Sequence, residues 1–313
     1  QEKRTCTWPT RGGGVAVQLY GPDTPNVDGS FPGLIKPETI KQRIDFYGDE
    51  NDFRLAMMLY GIMPKLTVGA RVLTMDLCIE RGAFDKPVWS GTPRKKAAFL
   101  DPGKVVDGDR KILTFVEWGE SADGFEIFTI DKQVNIPVVN STVSVDTQMA
   151  RFCKNECMKR GIAPTHFGWD STGNATLASE LAKEWSPETI PLDFGGDAPD
   201  RPVRAGSKEL ESDAYRNRVT GLWYSMREAI VQRQVRGMSR ECAEEGCQRK
   251  YDVCNKVGGV VQIQVEPKDE MKKRTKRSPD IMDSAVGALE VARRNGFNIG
   301  NGEAFGYLPC GLQ

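Results

Sequence analysis

The stretch from Lys95 to Trp169 constrains this chain most, because it sets short β-type runs ahead of one long amphipathic segment and then returns to a β-type run. The runs Ala97 to Leu100, Lys111 to Trp118 and Phe125 to Ile130 predict strands, and the Gly-rich turn Gly119 to Gly124 joins the last two into a meander. A helix is expected from Ser144 to Arg160, with Val145, Met149, Phe152, Cys153 and Met158 spaced for one face. A strand from Thr165 to Trp169 follows, and a strand reached through a long helical crossover can lie parallel to an earlier one. The expected class is therefore α/β with a mixed sheet. Further elements are a helix near Ala175 to Trp185 and a short strand Thr189 to Phe194, placed at an edge by Pro191. A Gly/Pro-rich loop then runs to about Gly206. The pattern closes with helices from Lys208 to Val235 and from Pro279 to Asn295, the second stopped by Gly296.

Ahead of Lys95 the pattern is different. Residues 1 to about 93 are rich in Gly and Pro turns, with helical patterns near Pro37 to Phe46 and Asp52 to Tyr60, and form an irregular connector. No G-x-x-x-x-G-K-[ST] phosphate loop occurs, so ATPase chemistry of that kind is not expected of this chain by itself. Gln1 stands where an initiator Met is expected, which suggests a chain cropped or processed from a longer one. With 43 Lys+Arg against 43 Asp+Glu, a nucleic-acid surface has to be a local patch rather than an overall excess of positive charge. No stretch reaches the roughly 20 apolar residues of a membrane span, and no membrane partner is expected. The eight cysteines are scattered, and reduced thiols are expected; Cys242, Cys247 and Cys254 lie close in sequence but lack the paired C-x-x-C spacing of a zinc site. The single histidine, His166, would be the only base for Ser-His or Cys-His chemistry, and its neighbours Phe167 and Trp169 mark it as a strand residue.

The carboxylates carry the chemistry. Asp101 ends the run Ala97 to Leu100 ahead of Pro102-Gly103, and Asp170 ends Thr165 to Trp169 ahead of Ser171-Thr172-Gly173. Each alone is ordinary turn chemistry. If the two strands are parallel neighbours, however, both acids meet at the sheet edge where open α/β sheets bind ligands. In Ser278-Pro279-Asp280-Ile281-Met282-Asp283, Ser278 can cap, Pro279 suits the first helical position, and the two acids share a face of the first turns. Early acids also complement a helix dipole. Yet Ser284, Ala285, Gly287 and Ala288 are small enough to let this helix press onto a sheet, pointing both acids into a cleft. Like charges at about 4 Å repel by roughly 4 kcal/mol at an effective dielectric near 20, and a divalent cation relieves that. All-carboxylate oxygen sites suit Mg²⁺ or Mn²⁺, and two such ions about 3.5 to 4 Å apart can drive in-line phosphodiester hydrolysis without a histidine or a serine nucleophile. The basic run Lys268, Lys272, Lys273, Arg274, Lys276 and Arg277 leads into the same helix tip. Most such runs are solvated loops, but this position suits a phosphate backbone.

The segment from Val265-Glu266-Pro267-Lys268 through Arg277-Ser278-Pro279-Asp280-Ile281-Met282-Asp283-Ser284-Ala285 resembles the C-terminal motif of large terminase subunits of tailed bacteriophages. Leu100-Asp101-Pro102-Gly103 with Asp107-Gly108-Asp109-Arg110, and Gly168-Trp169-Asp170-Ser171-Thr172-Gly173, resemble the family's two earlier acidic motifs in the same order. The resemblance covers about Lys95 to Asn295. It implies an RNase H-like mixed central sheet flanked by helices, with a connector at 1–93, a nuclease domain at 94–300 and a tail at 301–313. It further implies a Mg²⁺- or Mn²⁺-dependent endonuclease that cuts concatemeric double-stranded DNA in the host cytoplasm during packaging, with the portal protein and the small terminase subunit as partners. By carry-over, Asp101, Asp170 and Asp280 would be catalytic and metal-binding, with Asp283 beside them and Asp109 a weaker match. Two other functions remain open: a Holliday-junction resolvase-like nuclease, whose fold also carries a helix-borne acid pair, and a non-catalytic motor or portal-docking module. The insertion Arg240 to Val257 has no role assigned by the resemblance.

Overall fold

The computed structural model describes residues 4–9, 14–23, 27, 36–47, 59–61, 71–103, 110–255 and 261–300. The chain divides into two compact units, Gln1–Val68 and Gly69–Gln313. In the first unit, β1 (Cys6–Pro9) pairs antiparallel with β2 (Val15–Gln18), and α1 (Pro37–Tyr47) falls where the sequence predicts a helix. Tyr20 and Tyr60 stack with ring centroids 5.3 Å apart. Most of the helix expected from Asp52 to Tyr60 lies outside the described residues.

The second unit begins ahead of the strand-rich stretch: α2 (Met75–Glu80), capped by the Thr74 hydroxyl, belongs to it although residues 71 to 93 read in sequence as connector. Next come β3 (Lys95–Asp101), β4 (Ile112–Glu120) and β5 (Glu126–Asn135), paired antiparallel as the expected meander. Helix α3 (Val145–Lys159), capped by Ser144, carries the chain across to β6 (Phe167–Asp170), which pairs parallel with β3 so that Leu100 lies opposite Trp169. His166 sits in a 3-10 turn just before β6 rather than within it, stacked on Trp118, because Pro164 favours the turn at that point. Helix α4 (Ala175–Glu184) leads to β7 (Ile190–Leu192), parallel to β6 at the sheet edge, where Pro191 needs no ladder donor.

The long helix expected from Lys208 to Val235 is broken into α5 (Glu211–Ala214) and α6 (Arg218–Val231). Asn217 between them adopts extended backbone and accepts a hydrogen bond from Thr220 N, so it caps a new helix instead of continuing the old one. A two-residue strand not expected from sequence, β8 (Val235–Arg236), pairs parallel with β5. The insertion then forms α7 (Arg240–Gly246) and β9 (Tyr251–Asn255), which pairs antiparallel with β10 (Val261–Val265). The basic run forms α8 (Lys268–Thr275), and α9 (Asp280–Arg294) ends the described fold.

The central sheet has the order β7-β6-β3-β4-β5-β8 among the described strands. A meander whose first strand is flanked by parallel β6 and β7 is the RNase H-like arrangement, so the expected fold class is the one adopted. Strand β3 is buried on both faces, which explains its unbroken apolar run. Ala98 and Leu100 face α3 and α4 in a core with Met149, Cys153, Phe167, Leu177 and Leu181. Phe99 points the other way, onto α9. The ring of Phe99 lies so close to Gly287 that an added Cβ there would come within 2.3 Å of it. Ser284 tightens the same contact by its position 3.1 Å from the Phe99 carbonyl and 2.8 Å from the Thr114 hydroxyl. The small residues of α9 thus let it lie almost against the sheet. Among the described residues no helix is long and apolar enough to cross a membrane.

Candidate active site

Two adjacent parallel strands and one helix tip deliver the acids. Asp101 is the last residue of β3 and Asp170 the last of β6, so both stand at the carboxyl edge of the sheet. The close seating of α9 brings its first turn over that edge, with Asp280 and Asp283 buried at 1% and 3% exposure. Asp101, Asp170 and Asp283 line one cavity of about 550 Å³ together with Arg249, Lys268 and Lys272.

A lysine occupies the centre. The Nζ of Lys268 lies 3.2 Å from Asp101 Oδ2, 3.0 Å from Asp280 Oδ1 and 3.1 Å from Asp283 Oδ2. The remaining lone pairs are tied down individually. Gly103 N donates to Asp101 Oδ1 at 3.0 Å, and Thr172 donates to Asp170 Oδ1 from both its amide (3.0 Å) and its hydroxyl (2.7 Å). Trp223 Nε1 donates to Asp283 Oδ1 at 2.9 Å. Asp280 accepts from Arg110 N at 3.1 Å and from Ser278 Oγ at 2.5 Å. Ser278 therefore orients a catalytic candidate and does not cap α9, whose N-cap position is Pro279. The cap comes from a distance: Glu245 Oε2, on α7, accepts from Ile281 N at 2.9 Å and Met282 N at 3.2 Å. Its other oxygen is held by Arg110, which also reaches Glu241.

Burial pushes the Asp101 carboxyl up to about 7; Lys268 opposes the shift, while Asp283, Asp280 and Asp170 add to it. Asp170 is also raised, by burial first, with the Thr172 hydrogen bonds holding it back. Burial would lower the Lys268 ammonium, but Asp101, Asp283 and Asp280 more than reverse it and hold its pKa well above the ordinary lysine value. Burial raises Glu245 to about 7 against the pull of Arg110. The cluster is thus short of positive charge even with its lysine in place.

The expected acids Asp101, Asp170, Asp280 and Asp283 come together, while Asp109 lies outside the described residues. Of the basic run, Lys268 to Thr275 is helical and Lys276 and Arg277 follow it, and Lys268, expected on the DNA, is engaged by the carboxylates. Lys272 lines the cavity, Arg274 is held by Glu266, and Lys273, Lys276 and Arg277 are exposed. Arg110, Trp223, Glu245 and Arg249 were not foreseen as site residues. Arg110 alone carried a sequence signal, as the residue after Asp109 in the second acidic stretch.

The donor set is chemically suited to a hard divalent ion: hard carboxylate oxygens converge, and an ammonium stands where positive charge is required. As the side chains stand, no group of three or more Asp, Glu, His or Cys among the described residues could hold a metal ion.

No protein-family model matches the chain, and no curated protein matches it. Among solved structures, the chain is similar to a lysine-to-alanine mutant of gp2c of the large terminase subunit from bacteriophage Sf6, with calcium: 13% identity, 70% of this chain and 98% of that one covered, TM-score 0.49. The mutant nuclease domain of the same Sf6 subunit with manganese gives the same values. The manganese form that also holds beta-thujaplicinol gives 14% identity, the same coverage and a TM-score of 0.47.

Proposed function

We infer that this chain is a metal-dependent DNA endonuclease of a viral packaging terminase, hydrolysing phosphodiester bonds of concatemeric double-stranded DNA. One observation carries the inference: carboxylates from β3 and α9, remote in sequence, surround a single cationic nitrogen at 3.0 to 3.2 Å, with Asp170 of β6 on the same cavity. An acid group with a purely structural role is normally matched by its neighbours; here burial raises Asp101 and Asp170 in a cleft wide enough for a phosphate. Asp101, Asp170, Asp280 and Asp283 would hold Mg²⁺ or Mn²⁺, two ions by this reading. When bound, the ions supply charge neutralisation for the in-line displacement and acidify an attacking water.

The protein's own groups set the geometry. Thr172, Gly103, Trp223 and Ser278 each restrict the rotation of one carboxylate. Lys268 holds the acids together in the absence of other cations, which limits the reorganisation required on loading. Lys272 at the rim, with the exposed Lys273, Lys276 and Arg277, offers a cationic track for a nucleic-acid backbone.

The test is plasmid cleavage with Mn²⁺ or Mg²⁺ by the wild-type chain and by Asp101→Asn and Asp170→Asn. Metal-dependent cutting that disappears in both variants is expected. Cutting that survives both EDTA and the substitutions would overturn the reading. Equal cutting of linear duplex and four-way junctions is expected too, whereas a strong junction preference would favour the resolvase alternative.

A further inference from the structure

The insertion Arg240 to Val257, which the sequence leaves without a role, places one side chain in the cleft that hydrogen bonding inside the protein does not account for. Arg249, between α7 and β9, is 2% exposed yet lines the same cavity as Asp101, Asp170 and Asp283. Its backbone is fixed: the carbonyl accepts from Val72 N at 3.0 Å and the amide donates to Gly246 O at 3.3 Å. The guanidinium carbon lies 4.9 Å from the centre of the Trp223 ring, so the head group is held flat against an aromatic face. Its nearest carboxylate contact, Nη1 to Asp283 Oδ1, is 3.8 Å, too long for a hydrogen bond, and that oxygen already accepts from Trp223. Nε and Nη1 have no hydrogen-bond partner.

A guanidinium offers five N–H donors in a rigid fork. Burying one with donors unspent is costly, and native structures retain such groups where a ligand completes the set. The contrast with Lys268 identifies the ligand. Both cations adjoin Asp283, but Lys268 is used up by three carboxylates, while Arg249 is immobilised with Nε and Nη1 left without hydrogen bonds. A planar fork with two buried, unpaired nitrogens, on a residue that lines the cavity, matches the oxygens of a phosphate. The geometry points to Arg249 as the residue that takes a non-bridging oxygen of the nucleic-acid phosphate lying nearest the carboxylates, positioning it and stabilising the charge that builds there during cleavage. This deepens the nuclease reading and rests on it. The role falls to the insertion because no other described element places an uncommitted guanidinium in that cleft.

The experiment compares the wild-type chain with Arg249→Gln and Arg249→Lys in three measurements: thermal unfolding, duplex binding with Ca²⁺ as a function of salt, and cleavage rate with Mn²⁺. Arg249→Gln should melt no lower than wild type, since it removes a buried charge with no hydrogen bonds at Nε or Nη1. Its plot of log affinity against log salt should be shallower by about one phosphate contact. Its kcat should drop about 100-fold, the loss typical when one preorganised donor to a developing anion is removed. Arg249→Lys should restore the salt slope by keeping the charge, but only part of kcat, because an ammonium cannot fork. A wild-type slope and kcat in Arg249→Gln, with cutting still abolished by Asp101→Asn, would overturn this assignment and leave the nuclease reading standing. A loss of kcat that merely follows a lowered melting temperature would overturn it too. Cutting that persists in Asp101→Asn would bring down the nuclease reading itself.

Discussion

The two ends of α9 solve the same problem in opposite ways. At its C-terminal half, buried Glu290 meets Arg201 and Arg294, and Arg201 and Arg293 both reach buried Glu211. Burial would raise Glu290, but Arg201, Arg293 and Arg294 more than reverse it and hold the carboxyl below its ordinary range. At the N-terminal end, burial keeps Asp101 near neutrality and raises Asp170, because Lys268 is shared among too many acids. One helix therefore carries a saturated ion network that does structural work and an unsaturated one that is ready to take a cation. The difference lies in the count of partners rather than in burial, since Glu290 and Asp280 are almost equally inaccessible at 2% and 1% exposure.

The contrast is broken most sharply by variants at the two ends. Asp280→Asn should lower cleavage on the order of 1000-fold, roughly 4 kcal/mol of barrier, while changing urea unfolding by about 1 kcal/mol or less, because the ion pair lost to Lys268 is offset by relief of the repulsion on Asp101. Glu290→Ala should do the reverse. It strands Arg201 and Arg294 and should cost about 3 kcal/mol in urea unfolding, with the rate per folded molecule kept. If Glu290→Ala slowed cutting without destabilising, or Asp280→Asn unfolded the protein, the division of labour would be wrong. Glu245→Ala removes the acceptor for Ile281 N and Met282 N; a loss of about 1 to 2 kcal/mol, seen in thermal unfolding, is expected, with slower cleavage because the tip carrying Asp280 loosens.

The same contrast has a dependence on pH. The folded pKa of Asp101, about 7, is above its unfolded value, so the fold favours the protonated carboxyl. That contribution to stability is complete below about pH 4 and is lost as pH rises through about 7. Glu245, also near 7, acts in the same direction. Metal-free protein should therefore lose unfolding free energy between about pH 4 and 7, less so in Asp101→Asn. Mn²⁺ binding measured calorimetrically in two buffers should release protons at about pH 6 and almost none at about pH 8.

Much of this was legible in the chain. Asp101 and Asp170 could be placed because a strand followed by a turn leaves its last side chain at the sheet edge, and the small residues of α9 announced its close packing. The break at Asn217 was hidden because the apolar stripe from Tyr215 to Ile230 runs on across it, and a capping side chain leaves no mark on periodicity. β8 was too short to show an alternation. The counter-ions were invisible for a different reason. Lys268 stands in a run of lysines and arginines whose members look alike, and only the fold decides that it is turned inward while Lys273 is exposed. Glu245 and Arg249 act across gaps of more than thirty residues in sequence, which no local pattern encodes.

The ring of Phe99 seated on Gly287 has a mechanical consequence. Because α9 is one rod and the sheet beneath it is rigid, that contact works as a depth stop: it sets how far the acidic tip stands above the ends of β3 and β6. Thickening the stop by a single methyl, as in Gly287→Ala, would lift the whole rod, so a change half-way along the helix and remote from any reacting group would detune the spacing of the carboxylates.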